Sequence, residues 1–459
     1  MACGVTLGLA FLSGCARESG PASVLVVVID TLRADHVGAY GYPRPTTPNL
    51  DRLEGGSWIR FEHAIAHSPW TLPSFASILT SLPPPVHRAG ERVAELKGGQ
   101  TALHRLRDGV ATAPRIFGRE HGFRTAAFVN NPYLDPQFGL DAGFDVYDHV
   151  AGSNLDTRGA QLMVDHAIDW LARLGRRDRF FLLLHFFDPH QNYDPPTPYA
   201  ERFLGPERAK QRPPPGIYQR IKLKGFEPSG EQRELFRDLY DGEIAHVDDQ
   251  IARLLFFLES RGRLASSAVA ITADHGEEFW DHGAFEHGHA LYDELVRVPL
   301  WLKLPDASPL LSQVPQAGWG DRLVCHIDVL PTLLDALGLS TEAPLMGRSV
   351  FAEREPAAPE ACYLGSTLYG IEKRGVVKRN LKLIENLQSG AVELYDLDAD
   401  PGEARDLAGA RPDQAEALRA ELGLLEEDLK RLGESLGAAQ VETLDPEMVE
   451  RLRSMGYIR

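Results

Sequence analysis

Asp274-His275-Gly276-Glu277-Glu278-Phe279-Trp280-Asp281-His282-Gly283 continues through Ala284-Phe285-Glu286-His287-Gly288-His289, setting four histidines and several carboxylates among bendable glycines. The segment directly follows an apolar run, Ala268–Thr272. Asp and His side by side at a strand end offer an oxygen and a nitrogen donor to one divalent cation. Two further polar turns follow apolar runs in the same way. Asp30-Thr31-Leu32-Arg33-Ala34-Asp35 succeeds Val24–Ile29, and Asp188-Pro189-His190 succeeds Phe180–Phe187. A parallel sheet would collect Asp30, His190, Asp274 and His275 on one edge. A hydroxyl completes the set: Thr71 in Ser68-Pro69-Trp70-Thr71-Leu72-Pro73-Ser74, a Pro-bounded turn before the apolar Phe75, Ala76, Ile78 and Leu79. Pro73 suits the first turn of a helix. Thr71 is then expected at a helix N-terminus, where free N–H groups and the dipole favour an anion.

The elements that must hold these groups alternate. Val24–Ile29, Thr125–Val129, Phe180–Phe187 and Ala268–Thr272 are β-branched or aromatic runs of the kind buried on both faces of a parallel sheet. Between them, Gly159–Leu174 carries Leu162, Val164, Ile168, Trp170 and Leu171 at helical spacing, and Phe236–Leu258 repeats the pattern. Strands alternating with helices predict an α/β fold, doubly wound around a mainly parallel central sheet. Residues 85–110 and 195–230 lack periodicity and are expected as surface loops near the site mouth. Past Gly338 the pattern shortens. Segments at 361–364, 375–377, 381–384 and 392–395 predict a small C-terminal antiparallel sheet, and Arg411–Leu432 predicts an amphipathic, solvated packing helix. The expected organisation is a leader and linker at 1–22, a catalytic domain at 23–340, the small sheet subdomain at 341–410 and a helical tail at 411–459.

With 459 residues, 43% hydrophobic, the chain can bury a large core. Its formal net charge of −17 repels nucleic acid and anionic lipid at long range, so an anionic substrate must be caught by a local site. Val5–Leu12 is a short apolar run ending in Leu12-Ser13-Gly14-Cys15, the h-region and small-residue pattern of an export signal, although no Lys or Arg precedes it. Leu-Ser-Gly-Cys resembles a bacterial lipobox, which implies acylation of Cys15 and an extracytoplasmic, envelope-anchored protein whose membrane contact is the lipid alone. Cys325 and Cys362 then remain, too few for a disulfide framework.

Five stretches together resemble the sulfatase family of the alkaline-phosphatase-like superfamily. They are Ile29–Asp35 with Gly38-Ala39-Tyr40-Gly41; Thr47–Leu53 with Ser68–Ser74; Asp188-Pro189-His190 before Tyr193; Tyr240–Ile244 with Val247-Asp248, leading to Thr272–Glu277; and Glu393–Leu397 with Asp400-Pro401-Gly402-Glu403. The resemblance implies that Asp30, Asp274 and His275 are ligands of one divalent ion (Ca, Mg, Mn or Zn), with the Thr71 oxygen beside them. It makes His190 a substrate or leaving-group contact and puts Thr71 where sulfatases carry the Cys or Ser that becomes formylglycine. The chain also departs from the family. Phe75 stands at the supporting Arg, Thr31 at the second Asp, and Asn130, Asn131 and Pro132 where Lys-x-His is usual. His289 is read at the later Lys position; His67, His282 and His287 are read as supporting or surface residues.

A threonine cannot collapse to an aldehyde as a formylglycine hydrate does, so no formylglycine is expected. A threonyl phosphate can instead be hydrolysed by activated water or passed to an alcohol. The expectation is a metal-dependent hydrolase of a sulfate or phosphate ester on a glycan, lipid head group or small molecule, with Thr71 as nucleophile and His190 or His289 moving the proton. One alternative is an envelope phosphoglycerol or phosphoethanolamine-type transferase. The other is an inactive, lipid-anchored binding protein, which the lost Arg and Lys positions favour and the retained Asp30, Asp274 and His275 oppose.

Overall fold

The computed structural model describes residues 22–93, 102–149, 159–315, 319, 322–352 and 361–454; Cys15 and the N-terminal apolar run lie outside them. The strands β1 (Ser23–Ile29), β2 (Trp58–Ile65), β3 (Arg124–Val129), β4 (Val146–His149), β5 (Phe180–Phe186), β6 (Ser267–Ala273), β7 (Arg297–Lys303) and β8 (Leu323–Cys325) form one sheet. Their order is β8-β2-β7-β6-β1-β5-β3-β4. β7 is antiparallel to both neighbours, and the other pairings are parallel. Every residue of β1, β5 and β6 is buried, as the unbroken apolar runs require. Register does the rest. Ile29 lies between Phe186 of β5 and Ala273 of β6, so Asp30, Phe187 and Asp274 leave the sheet side by side.

Among the described residues, α1 (Thr71–Thr80) is buried on every face rather than on one. In α2 (Ala160–Arg173) the buried stripe is Met163, Val164, Ala167 and Leu171, and Leu162 is 44% exposed. The expected face is therefore rotated, because Met163 and Ala167, not Leu162, meet the sheet. The short α3 (Ile217–Lys224) precedes α4 (Gly230–Ser260), which Ser229 and Gln232 start with a capping box.

A second sheet of β9 (Ala361–Leu364), β10 (Lys373–Lys378), β11 (Leu381–Asn386) and β12 (Val392–Asp396) is antiparallel throughout, as expected. The helix α5 (Pro412–Ser435) lies against it and buries Ala415, Leu418, Leu422 and Leu429. After α5, Val441–Thr443 pairs with Ala102–His104, so the chain's last part returns to the region before β3.

Cys325 and Cys362 are joined in a disulfide, with Cα atoms 5.8 Å apart, tying the end of β8 to β9. Spacing along the chain did not suggest the pair; the sheets bring the two thiols together. The bond closes a 37-residue separation. Replacing both cysteines with serine is expected to cost about 2 to 4 kcal/mol, read as a lower denaturant midpoint, and unchanged unfolding would contradict a stabilising role.

Candidate active site

The turn after β1 is shaped by α4. Tyr240 donates its hydroxyl proton to the Thr31 carbonyl at 2.7 Å and accepts from the Arg33 amide at 3.0 Å. Asp241 accepts from His36 Nδ1 and from the Tyr42 hydroxyl, at 2.8 and 2.7 Å. Two turns further on, Asp248 accepts from the Asn49 and Leu50 amides at 2.9 and 2.8 Å. These acidic residues of α4 fold the segments that carry Asp30 and lead to Thr71. Thr31 itself sits at φ +56°, costly for a β-branched residue, while its amide donates to Asp274 Oδ1 at 3.3 Å.

Asp30, Asp274 and His275 are fully buried, and each offers one donor atom within 4.8 Å of the others. His275 Nε2 is 3.5 Å from Asp30 Oδ1 and 3.7 Å from Asp274 Oδ2, separations suited to ligands that each stand about 2 Å from one cation. The His275 Nδ1 proton goes to the Gly276 carbonyl at 2.8 Å, which leaves the lone pair on Nε2. Asp30 Oδ1 has no hydrogen-bond partner. Burial and the Asp274 charge push the Asp30 carboxyl well up; Asp274, against the same burial, is held down by His275 and His185. An orphaned carboxyl oxygen facing the imidazole Nε2 fits a divalent cation. Gly276 is required here, because a Cβ would stand 2.0 Å from the Glu294 carbonyl oxygen.

Thr71 is the first residue of α1, and no side chain caps the helix. Its hydroxyl reaches His275 Nε2 at 3.4 Å and accepts from Asn131 Nδ2 at 3.1 Å; the same amide group donates to Asp30 Oδ2 at 2.7 Å. Thr71, Asp30, Asp274 and His275 thus meet.

The remaining histidines sort differently from the sequence reading. His190 stacks on Phe187 and gives its Nδ1 proton to the Gln191 carbonyl at 2.6 Å. His287, read from sequence as supporting, stands between His275 and His190, with ring centroids 4.5 and 5.0 Å away. Its Nδ1 donates to Glu277 Oε1 at 2.8 Å, and Tyr193 donates to Glu277 Oε2 at 2.9 Å. Burial pushes Glu277 up to about 7 and holds His190 and His287 well below the usual imidazole range. His289, expected at the site, instead gives its Nε2 to Glu278 Oε2 at 2.7 Å and is 22% exposed. The two-residue step from His287 to His289 passes through Gly288 at φ +87° and turns the second ring away.

Two residues were missed. His185, inside β5, points Nε2 at Asp274 Oδ2 (3.4 Å) and Asp30 Oδ2 (3.8 Å), with Phe75 edge-on against its ring. A lone imidazole in a doubly buried strand was the available signal. Asn131, at the polar end of β3, was the other.

His67 and His282 are bonded to other partners. His67 donates to the Tyr363 carbonyl, and His282 stacks on Tyr292 and donates to Glu294 Oε1 at 2.6 Å. Burial alone would lower His282, but the Glu294 bond and charge raise it to about 9. Its stabilisation is therefore complete below the unfolded value near 6.5 and is lost as pH rises through 9. The Tm difference between wild type and His282→Gln should shrink across that window; a constant difference would exclude the charged pair as its source.

The C-terminal sheet supplies one wall. Ser366 O accepts from Trp70 Nε1 at 2.6 Å and Ser68 Oγ at 3.1 Å, and the Leu368 and Tyr369 amides donate to Gly288 O at 2.7 and 3.0 Å. The loop after β9 therefore ties the Thr71 turn to the His287 turn.

The sulfatase family profile matches residues 22–339, and a profile for the N-sulphoglucosamine sulphohydrolase C-terminal region matches residues 280–432. The chain is 25% identical over 434 residues to the uncharacterized sulfatase YidJ of Escherichia coli, covering 83% of this chain and 82% of that one. It is 23% identical to the N-acetylglucosamine-6-O-sulfatase of Bacteroides thetaiotaomicron, covering 92% and 89%. Two solved structures share the fold at a TM-score of 0.67: one in complex with its substrate D-glucosamine-2-N,6-O-disulfate (19% identity, 91% and 98% covered), and the phosphonate monoester hydrolase of Agrobacterium radiobacter (18%, 89% and 96%). With its mainly parallel sheet, its small antiparallel subdomain and a profile match over most of its length, the chain belongs to the sulfatase family of ester hydrolases.

Proposed function

We propose that this hydrolase is exported and metal-dependent, and that it cleaves a phosphate or phosphonate ester with Thr71 as nucleophile. The observation that carries the reading is the Thr71 hydroxyl, hydrogen-bonded to Asn131 and His275 beside Asp30 and Asp274 at the start of an uncapped helix. A divalent cation held by Asp30, Asp274 and His275 would acidify that hydroxyl and polarise the ester. Asn131 aims the Thr71 oxygen, and the first amides of α1 favour the negative charge of the group under attack. The Thr71 Oγ–phosphorus bond forms as the ester oxygen leaves. His190 and His287 carry their lone pairs on Nε2, because their Nδ1 protons are committed to Gln191 O and Glu277. One of them takes the Thr71 hydroxyl proton and passes it to the leaving oxygen, and in the second half-reaction the same nitrogen takes a proton from the attacking water and returns it to the Thr71 oxygen as the threonyl–phosphorus bond breaks.

A threonyl ester of phosphorus can be opened by water at phosphorus; a threonyl sulfate lacks the aldehyde collapse that makes sulfatase turnover easy. The phosphonate monoester hydrolase likeness supports the phosphorus side, and the glucosamine-disulfate complex supports a glycan as the carrier of the ester. The Cys325–Cys362 bond supports an oxidising compartment, in keeping with the export and Cys15 acylation patterns.

Protein beginning near Ser19 should be assayed on aryl sulfate, phosphate diester and phosphonate monoester. Faster turnover of the phosphorus esters is expected, and a preference for the aryl sulfate would overturn that assignment. Transfer to an added alcohol ahead of water would point to the transferase, and the absence of both turnover and bound metal to the binding protein.

A further inference from the structure

Among the described residues, Lys222 is a cation near the site to which family membership and the Thr71 geometry assign no role. Lys222 lies on α3, in the 195–230 stretch expected from sequence as a loop near the site mouth. Its Nζ donates to Glu286 Oε2 at 2.6 Å and sits 4.1 Å from the centre of the Tyr369 ring. Glu286 is the residue before His287, almost wholly buried, and held at φ +70°. Tyr369 belongs to the wall that bonds to Gly288, the residue after His287. Glu286, which precedes His287 in the chain, and Tyr369, whose amide is bonded to the Gly288 carbonyl just after it, therefore converge on one ammonium group.

Arg33 is taken up by Asp35 and Asp281, and Lys373 donates to the His289 carbonyl. Lys222 has three N–H donors; Glu286 takes one, the Tyr369 face shields a flank, and the side chain keeps 19% of its surface exposed. In a chain of net charge −17, a pinned, partly exposed ammonium beside the site is the local attraction an anionic substrate requires. The reacting group is already served by Thr71, Asp30, Asp274 and His275, whereas Lys222 is paired to the residue next to His287 along the loop.

We propose that Lys222, backed by Tyr369 and fixed by Glu286, binds a second anionic group of the substrate, a carboxylate or further ester anion flanking the scissile one. This rests on the ester-hydrolase reading above and names the substrate class more narrowly: an ester on a carrier that is itself negatively charged. The requirement for an acidic carrier follows from the place of the ammonium, not from the reaction.

The test compares the metal-loaded full chain on 4-nitrophenyl phenylphosphonate and on the same ester with a carboxylate on the nitrophenyl ring. The selectivity for the carboxylated ester, as a ratio of kcat/KM values, is expected to fall about tenfold in Lys222→Met, chiefly through KM, and to stay within about threefold in Lys222→Arg; tenfold corresponds to about 1.4 kcal/mol. The double variant Lys222→Met/Glu286→Gln removes both charges and guards against misfolding from an unpaired buried carboxylate. An equal loss on both esters, or no change in the ratio, overturns the proposal. Calorimetric titration of the Thr71→Ala protein with the carboxylated ester gives the same comparison without turnover: about tenfold weaker binding on adding Lys222→Met supports it, and equal affinity overturns it. Activity surviving in Thr71→Ala would overturn the nucleophile reading, and the Lys222 selectivity ratio would still decide the second anion site by itself.

Discussion

Thr71→Ala is expected to lower kcat/KM by about a thousandfold or more while leaving bound metal in place. The side chain is wholly buried at the first position of α1, so its removal deletes one methyl group and one hydroxyl and disturbs little else. The Asp30, Asp274 and His275 donor atoms do not depend on it. Asn131 would still donate to Asp30 but would lose the hydroxyl as its second acceptor. Thr71→Ser keeps the oxygen and gives up the methyl, a stability cost of about 0.8 kcal/mol, and should retain activity within about tenfold of wild type. Wild type, Ser and Ala proteins assayed on the best phosphorus ester therefore separate the hydroxyl from the packing. Mass spectrometry of an acid-quenched reaction should find the transferred group on the peptide containing Thr71. Turnover by the alanine protein within about tenfold of wild type would sink the assignment, since it is the Thr71 hydroxyl that lies between Asn131 and His275.

What could be read from the chain and what could not divide along physical lines. β1, β5 and β6 are buried on both faces, so composition alone betrays them, and the polar residue ending each run lands on the reactive edge. β2 mixes Arg60, Glu62 and His63 with apolar residues, the Glu62-His63 pair breaking the alternation, β4 is four half-buried residues, and β8 is three residues long; such segments carry too little pattern to stand out. That Asp30, Asp274 and His275 stand together followed from strand ends. The difference between His287 and His289 did not, because it turns on one positive-φ glycine between them. His185 was hidden by its apolar neighbours. Asn131 was visible as a strand-end polar residue, but its bridge from Asp30 to Thr71 depends on β3 lying two places from β1 in the sheet. The disulfide, likewise, depends on two sheets meeting.

Removing the cation should be as damaging as removing the nucleophile, and the site's own charges predict how it responds to pH. Without a cation, burial and the neighbouring Asp274 keep a proton on Asp30 far above the ordinary carboxylate range. Binding must displace that proton, so affinity rises with pH until Asp30 is ionised in the cation-free protein and weakens on acidification. Metal content measured after dialysis should be high at about pH 8 and lower at about pH 5. At roughly a thousandfold excess over Kd the ion contributes about 4 kcal/mol of stability, which chelation should remove together with turnover. Asp30→Asn discriminates between this account and a merely structural carboxylate. It deletes a ligand, so activity and bound metal should fall to background. It also removes a carboxyl that, without the cation, must take up a proton to be buried beside Asp274, so in chelator the variant should melt at or above wild type, whereas in saturating metal wild type should melt higher. A crossing of that kind is not produced by loss of packing, because Asn and Asp fill the same volume. If Asp30→Asn were less stable than wild type by the same margin with and without metal, Asp30 would be a structural hydrogen-bond acceptor for Asn131 and not a ligand.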